Sequence, residues 1–80
     1  MIYLLRGDER KEKIELLVSL TSLTSENTID AMIDYFCRGN TEKQAADMNN
    51  VSVSNLNRAI SKLNAVAEIY EKLRLIESVK

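Results

Sequence analysis

Apolar residues recur along this chain with a helical period, in four blocks separated by short polar stretches. The clearest block spans residues 25–38, where Ile29, Met32, Ile33 and Phe36 fall at i, i+3, i+4 and i+7. Such a helix buries one face. Thr24 or Ser25 is placed to cap it, and Glu26 sits at the positive end of its dipole. Arg38 suits the last turn, and Gly39 can take the left-handed conformation that ends a helix. An earlier helix is predicted over residues 10–23. There Ile14, Leu17 and Val18 lie on one face, and Leu16, Leu20 and Leu23 on another. A helix apolar on two sides is buried on two sides or shared with another chain.

The second half of the chain continues the pattern. Thr41-Glu42-Lys43-Gln44 spells a capping box, in which the Thr41 hydroxyl and the Gln44 amide each satisfy an orphan backbone donor. The helix it opens is short, running through Ala45, Ala46 and Met48. Asn49-Asn50 breaks it, since Asn tolerates positive φ better than most residues. Ser52 is a good cap for a long final helix from Val53 to about Glu77. On that helix Leu56, Ile60, Leu63, Ala67 and Tyr70 make one stripe. Val66, Ile69, Leu73 and Ile76 make a second, rotated by over a quarter turn. A small core can cover the first stripe; the second is expected to serve another protomer.

Composition narrows the class. Eighty residues make one domain (1–80), 45% hydrophobic and 29% charged, which is a globular balance. With no Pro and only Gly7 and Gly39 as glycines, helices joined by short polar turns are favoured over hairpins. The fold class is therefore all-α: a small four-helix domain containing a helix-turn-helix and a long C-terminal helix. A domain of this size buries roughly 60–65% of its unfolded surface, so oligomerisation is a natural source of stability. Residues 1–9 read as an arm, either mobile or docked on a partner, with apolar Met1 to Leu5 ahead of Arg6-Gly7-Asp8-Glu9. Arg6-Gly7-Asp8 reads as a polar turn, not an integrin-type tripeptide. Met1 to Leu5 is too short for a signal peptide, and no apolar run approaches the roughly 20 residues of a membrane helix. The lone Cys37 fits a reducing compartment and reads as a small apolar residue. A cytoplasmic location is expected, with no membrane partner.

Enzyme chemistry finds no foothold. There is no His, no CxxC pair, no Gly-rich phosphate loop, and no nucleophile beside a base. Asp30 and Asp34 stand one turn apart and read as a solvated face. No cofactor, metal or small-molecule substrate is expected.

Residues 41–62 instead supply what a helix-turn-helix needs. Ala45 and Ala46 are small where two helices cross, and Met48 and Val51 staple the turn to the core. Asn49 or Asn50 takes the place often held by Gly. Leu56, Ala59, Ile60 and Leu63 anchor the second helix. Val53, Ser54, Asn57, Arg58 and Ser61 stay on its leading or lateral face. Asn57 suits an adenine edge, and Arg58 a guanine or a phosphate. Ser54, Asn55 and the amides near the Ser52 cap suit a phosphate. Lys43, Lys62 and Arg38 are placed to touch backbone on either side, while Asp47 faces away and pairs with a basic neighbour. The candidate DNA-binding set is thus Arg38, Lys43, Ser52, Ser54, Asn55, Asn57, Arg58 and Lys62. The candidate oligomer interface is Leu16, Leu20, Leu23, Val66, Ile69, Leu73 and Ile76. Against this stands a net charge of −1, unusual for a nucleic-acid binder. The competing reading is a helical interaction module, or an antagonist, that dimerises without touching DNA.

From Ile14 to Ile76 the chain resembles the PapB-like regulators of bacterial fimbrial (adhesin) operons. The likeness rests on Ile14-Glu15-Leu16-Leu17, on Thr24-Ser25-Glu26-Asn27-Thr28-Ile29-Asp30-Ala31-Met32, on Arg38-Gly39, and on the helix-turn-helix with its long last helix. The resemblance implies a transcriptional regulator that binds AT-rich double-stranded DNA as a homo-oligomer, several copies along repeated sites, with minor-groove contacts. Many weak copies together bind where one does not, which suits the acidic balance. Two positions depart from the family pattern: Glu42 stands where a basic residue is common, and Ala46 where a cysteine is.

Overall fold

Four α-helices follow one another: α1 (Lys11–Ser19), α2 (Glu26–Phe36), α3 (Glu42–Met48) and α4 (Val53–Ser78). They belong to a computed structural model that describes residues 4–78. Among these residues there is no strand.

Three of the four helix starts follow hydroxyl residues, while α1 begins after Arg10 with no side-chain cap. Ser25 caps α2, its Oγ accepting from the Thr28 amide at 3.4 Å. The capping box of α3 is complete: Thr41 Oγ1 accepts from the Gln44 amide at 3.1 Å, and Gln44 Oε1 accepts from the Thr41 amide at 3.0 Å. Ser52 Oγ accepts from the Asn55 amide at 3.1 Å at the start of α4. Two ends differ from the sequence pattern. α1 stops at Ser19, short of Leu23, because the Ser19 hydroxyl donates to the Leu16 carbonyl and Thr21 Oγ1 donates to the Val18 carbonyl at 2.7 Å. Thr21 Oγ1 also accepts from the Leu23 amide at 3.1 Å. Hydroxyls that bond the local backbone in this way offer it an alternative to continuing the helix. α2 ends at Phe36, and Gly39 follows at φ +80°.

The core lies where α2 meets the other three helices. Ala31, Met32, Ile33 and Phe36 of α2 pack with Ile14, Leu17 and Val18 of α1, Ala45 and Ala46 of α3, and Leu56, Ala59, Ile60, Leu63 and Ala67 of α4. Each fully buried large side chain here, such as Leu56, stabilises the fold by roughly 1.5–3 kcal/mol through burial. The predicted first stripe of α4 is buried as far as Ala67 but not at Tyr70, which is 51% exposed. α4 has by then run beyond the core. Its 26 residues also account for the elongated envelope of 46 × 24 × 21 Å.

Three further expectations are corrected. Met48 does not staple the turn; it is 61% exposed, and half-buried Val51 packs on the core instead. Asp34 is not solvated. It is 4% exposed, accepting from Arg38 Nη1 at 2.6 Å and from Asn49 Nδ2 at 2.8 Å. A buried carboxylate needs such donors to offset lost hydration. The N-terminal arm, where described, docks on its own chain: Leu4 is buried in the core, and its amide donates to Asn64 Oδ1 at 3.2 Å. The Gly7 and Glu9 amides donate to the Tyr35 and Phe36 carbonyls at 3.2 and 3.1 Å. Gly7, at φ +76°, lies against Gly39, and a Cβ on Gly7 would meet the Gly39 Cα at 3.0 Å. Met1, Ile2 and Tyr3 of the expected arm lie outside the described residues.

Candidate nucleic-acid interface

The helix-turn-helix is built from small residues inward and polar residues outward. Ala45 and Ala46 are fully buried and let α3 approach α4 closely, opposite fully buried Leu56. The chain then reverses at Asn50, whose φ of +57° is the left-handed value that the Asn pair was expected to supply. The Ala46 carbonyl accepts from the Val51 amide at 2.9 Å and so closes the turn. Asn49 pins this turn to α2, its Nδ2 donating both to the Ala45 carbonyl and to Asp34 Oδ2 at 2.8 Å. The reversal is thus held by a neutral amide reaching a buried charge on another helix.

The first turns of α4 leave Ser54, Asn55, Asn57, Arg58, Ser61 and Lys62 exposed, as does Ser52 ahead of them. Asn55, Arg58 and Asn57 already have side-chain partners. Arg58 Nη2 donates to Asn55 Oδ1 at 2.7 Å, which holds the guanidinium along the helix. Asn57 Nδ2 donates to both oxygens of the Glu42 carboxylate, at 3.4 Å each. Asn55, Arg58 and Lys62 also share a groove of about 350 Å³ with Leu23, Ser25 and Thr28. The start of α2 forms one wall of that groove, so two cations of α4 stand beside the N-terminus of α2. The remaining predicted contacts do not line it. Arg38 is paired with Asp34 at 2.6 Å, and Lys43 with Asp47 at 3.6 Å, which is the pairing expected for Asp47.

Sequence reading did not find Thr28, nor a role for Ser25 beyond capping. Both precede Arg58 by thirty residues or more, and no local pattern reports such a contact. Glu42 was noticed as an anomaly of charge, not as the partner of Asn57.

A second surface lies on the far side of α1. Leu16 and Leu20 are exposed beside Leu17 and Tyr70 in a groove of about 870 Å³, rimmed by Arg10, Glu12, Lys13, Glu71 and Arg74. Ile69, Leu73 and Ile76 are exposed further along α4. Leu23 and Val66, expected on the same interface, are half-buried against the chain's own core. Burial, with the charges of Glu9 and Glu12, pushes the Cys37 thiol pKa up and keeps it protonated. No cluster of metal-ligating side chains occurs among the described residues, and no described helix is long and apolar enough to cross a membrane.

Comparison with known proteins bears on this arrangement. The family model of PapB, the adhesin biosynthesis transcription regulatory protein, matches residues 1–76. No curated protein sequence matches significantly. The crystal structure of E. coli FocB superposes with a TM-score of 0.83 at 22% sequence identity, covering 91% of this chain and 83% of that one. At that identity the likeness is one of fold.

Proposed function

The chain belongs to the PapB family of adhesin biosynthesis transcription regulatory proteins, and from that premise we propose that it regulates a fimbrial operon by binding AT-rich promoter DNA as a cytoplasmic homo-oligomer. Its reading element is the helix-turn-helix at residues 41–62. The observation that carries this reading is the exposed polar start of α4, set on a buried apolar scaffold and closed by Asn50 in the left-handed conformation. Ser54, Asn57, Arg58 and Ser61 are then free of packing duties and suited to a groove. Arg58 and Lys62 supply phosphate contacts, and Ser52, Ser54 and Asn55 add polar ones. Arg38 and Lys43 join them only by leaving their own carboxylates. One copy with a net charge of −1 binds weakly, so several copies act together. Leu16, Leu20, Ile69, Leu73 and Ile76 supply the apolar surface for that assembly.

The test is a gel shift on AT-rich promoter duplexes at about 50 and 200 mM salt. Phosphate contacts make affinity fall steeply over that range. Affinity that is absent, or indifferent to salt, overturns the reading. The pairing of Arg38 and Lys43 with acidic neighbours favours one competing reading, an interaction module that does not touch DNA. Self-association persisting without any DNA shift would establish that reading instead.

A further inference from the structure

Between Glu26 and Ser78 the chain carries six cations: Arg38, Lys43, Arg58, Lys62, Lys72 and Arg74. Four of them are paired with a carboxylate: Arg38 with Asp34, Lys43 with Asp47, Lys72 with Glu68 and Arg74 with Glu71. Arg58 and Lys62 have no such partner among the described residues. That is notable in a chain whose 12 acidic residues outnumber its 11 basic ones. Both cations line the groove of about 350 Å³ between α4 and the start of α2, and no carboxylate lines it with them. The facing wall carries Ser25 and Thr28. Thr28 Oγ1 donates to Ser25 Oγ at 3.2 Å, which leaves the Ser25 hydroxyl proton for another acceptor. Asn55 Oδ1 accepts one of the five N–H donors of Arg58 at 2.7 Å, and so steadies the guanidinium while the others remain for an anion.

We propose that this groove seats a DNA backbone strand, with the start of α2 as its second wall. The DNA-binding surface then extends beyond residues 41–62 to Ser25 and Thr28. A strand is the occupant because the polar groups form a row. Asn55, Arg58 and Lys62 follow one another along one side of α4 over about 10 Å. A duplex strand presents a charge every ~3.4 Å along its axis, so such a row faces several phosphates. A single free phosphate calls instead for donors that converge on one point. The seat touches backbone and no base, so it is compatible with the minor-groove contacts that the resemblance implies. The inference rests on the DNA-binding reading above and deepens it.

The experiment uses the full chain and a gel shift on AT-rich duplex at about 0.1 M salt. Ser25→Asp places a carboxylate in the groove, and Asp caps a helix as well as Ser does. Its melting temperature should stay within a few degrees of wild type, while affinity falls by about tenfold or more, since it sets like charges face to face. Ser78→Asp is the control. It adds the same charge about 24 Å along α4 from Lys62, beyond the ~10 Å screening length at this salt. It should change affinity by less than about twofold. Arg58→Gln and Lys62→Gln should each reduce the slope of log affinity against log salt by roughly one. With both in place, Ser25→Asp should cost less than about twofold, because the strand no longer enters the groove. In wild type, the Ser25 and Thr28 amide signals of a nitrogen–proton NMR spectrum should shift on adding duplex.

A Ser25→Asp loss no greater than that of Ser78→Asp overturns the proposal, and the DNA-binding reading survives it. So does a tenfold loss that persists without the two cations, which would make the new charge a distant repulsion. Ser25 and Thr28 signals unmoved by duplex overturn it without recourse to any variant. If millimolar inorganic phosphate moves those signals and duplex does not, the groove belongs to a free anion. If the wild type binds no duplex at all, the DNA-binding reading fails and this inference falls with it.

Discussion

Replacing Asp34 by Ala tests whether the turn of the helix-turn-helix is held from α2. The carboxylate is buried and receives two donors, Arg38 at 2.6 Å and Asn49 at 2.8 Å. The two bonds are not equal. The Arg38 side chain is 68% exposed and regains water when its partner goes, so its share is that of a surface pair, about 0–1 kcal/mol. Asn49 is half-buried, and its bond to a charged acceptor is worth roughly 1.5–3 kcal/mol. Asn49 keeps its second acceptor, the Ala45 carbonyl, which limits the loss. The variant should therefore lose about 2–3 kcal/mol. Total stability for a chain of this length is of order 4–12 kcal/mol, so it still folds at room temperature. At roughly 4–8 °C per kcal/mol, its melting temperature should fall by about 10–20 °C, measurable by circular dichroism. Arg38→Ala should cost clearly less, because the carboxylate then meets solvent where the guanidinium stood. An Asp34→Ala loss under 0.5 kcal/mol, or an Arg38→Ala loss as large as that of Asp34→Ala, would refute this account of the turn.

Other outcomes follow from single contacts. Gly7→Ala places a methyl 3.0 Å from the Gly39 backbone at a φ of +76°, and should destabilise by about 1–3 kcal/mol in urea unfolding. Asn50→Gly should be neutral or slightly stabilising, and Asn50→Val destabilising by about 1–2 kcal/mol, because only the former suits a φ of +57°. Joint Leu20→Glu and Ile76→Glu substitution should leave the melting temperature within a few degrees while lowering any self-association seen by sedimentation, since both side chains are exposed. Cys37 should alkylate more slowly at pH 8 in the folded chain than in urea, because its raised pKa leaves less thiolate there.

What the sequence disclosed follows the range of the interaction responsible. Caps at Ser25, Thr41 and Ser52, and the reversal at the Asn pair, depend on neighbours within four residues, and all were legible. The apolar face of α2 was legible too, since its period repeats within one helix. Contacts between distant residues were not. Asp34 looked solvated because one of its two donors is Asn49, fifteen positions on. The arm looked unattached because Leu4 bonds Asn64, sixty positions away. Met48 and Tyr70 each continued an apolar pattern past the point where the core stops. The site divides the same way: the exposed face of α4 was legible, but the tie between Glu42 and Asn57 and the groove shared with Ser25 and Thr28 depend on how the helices pack.

The long C-terminal helix also sets how this molecule responds to its surroundings. Past Ala67, no apolar residue of α4 is buried among the described residues. Residues 68–78 thus form a segment of a length at which an isolated helix is marginal in water. Its internal supports include the Glu68–Lys72 and Glu71–Arg74 pairs, each worth only about 0.2–0.5 kcal/mol. Amide protons there should exchange with solvent far sooner than those around Leu56 and Leu63. Any macromolecule that covers Ile69, Leu73 and Ile76 must first offset the entropy of stiffening this end. Its association and the helicity of this end are then a single equilibrium, and exchange protection at residues 68–78 becomes a gauge of how much of the protein is engaged.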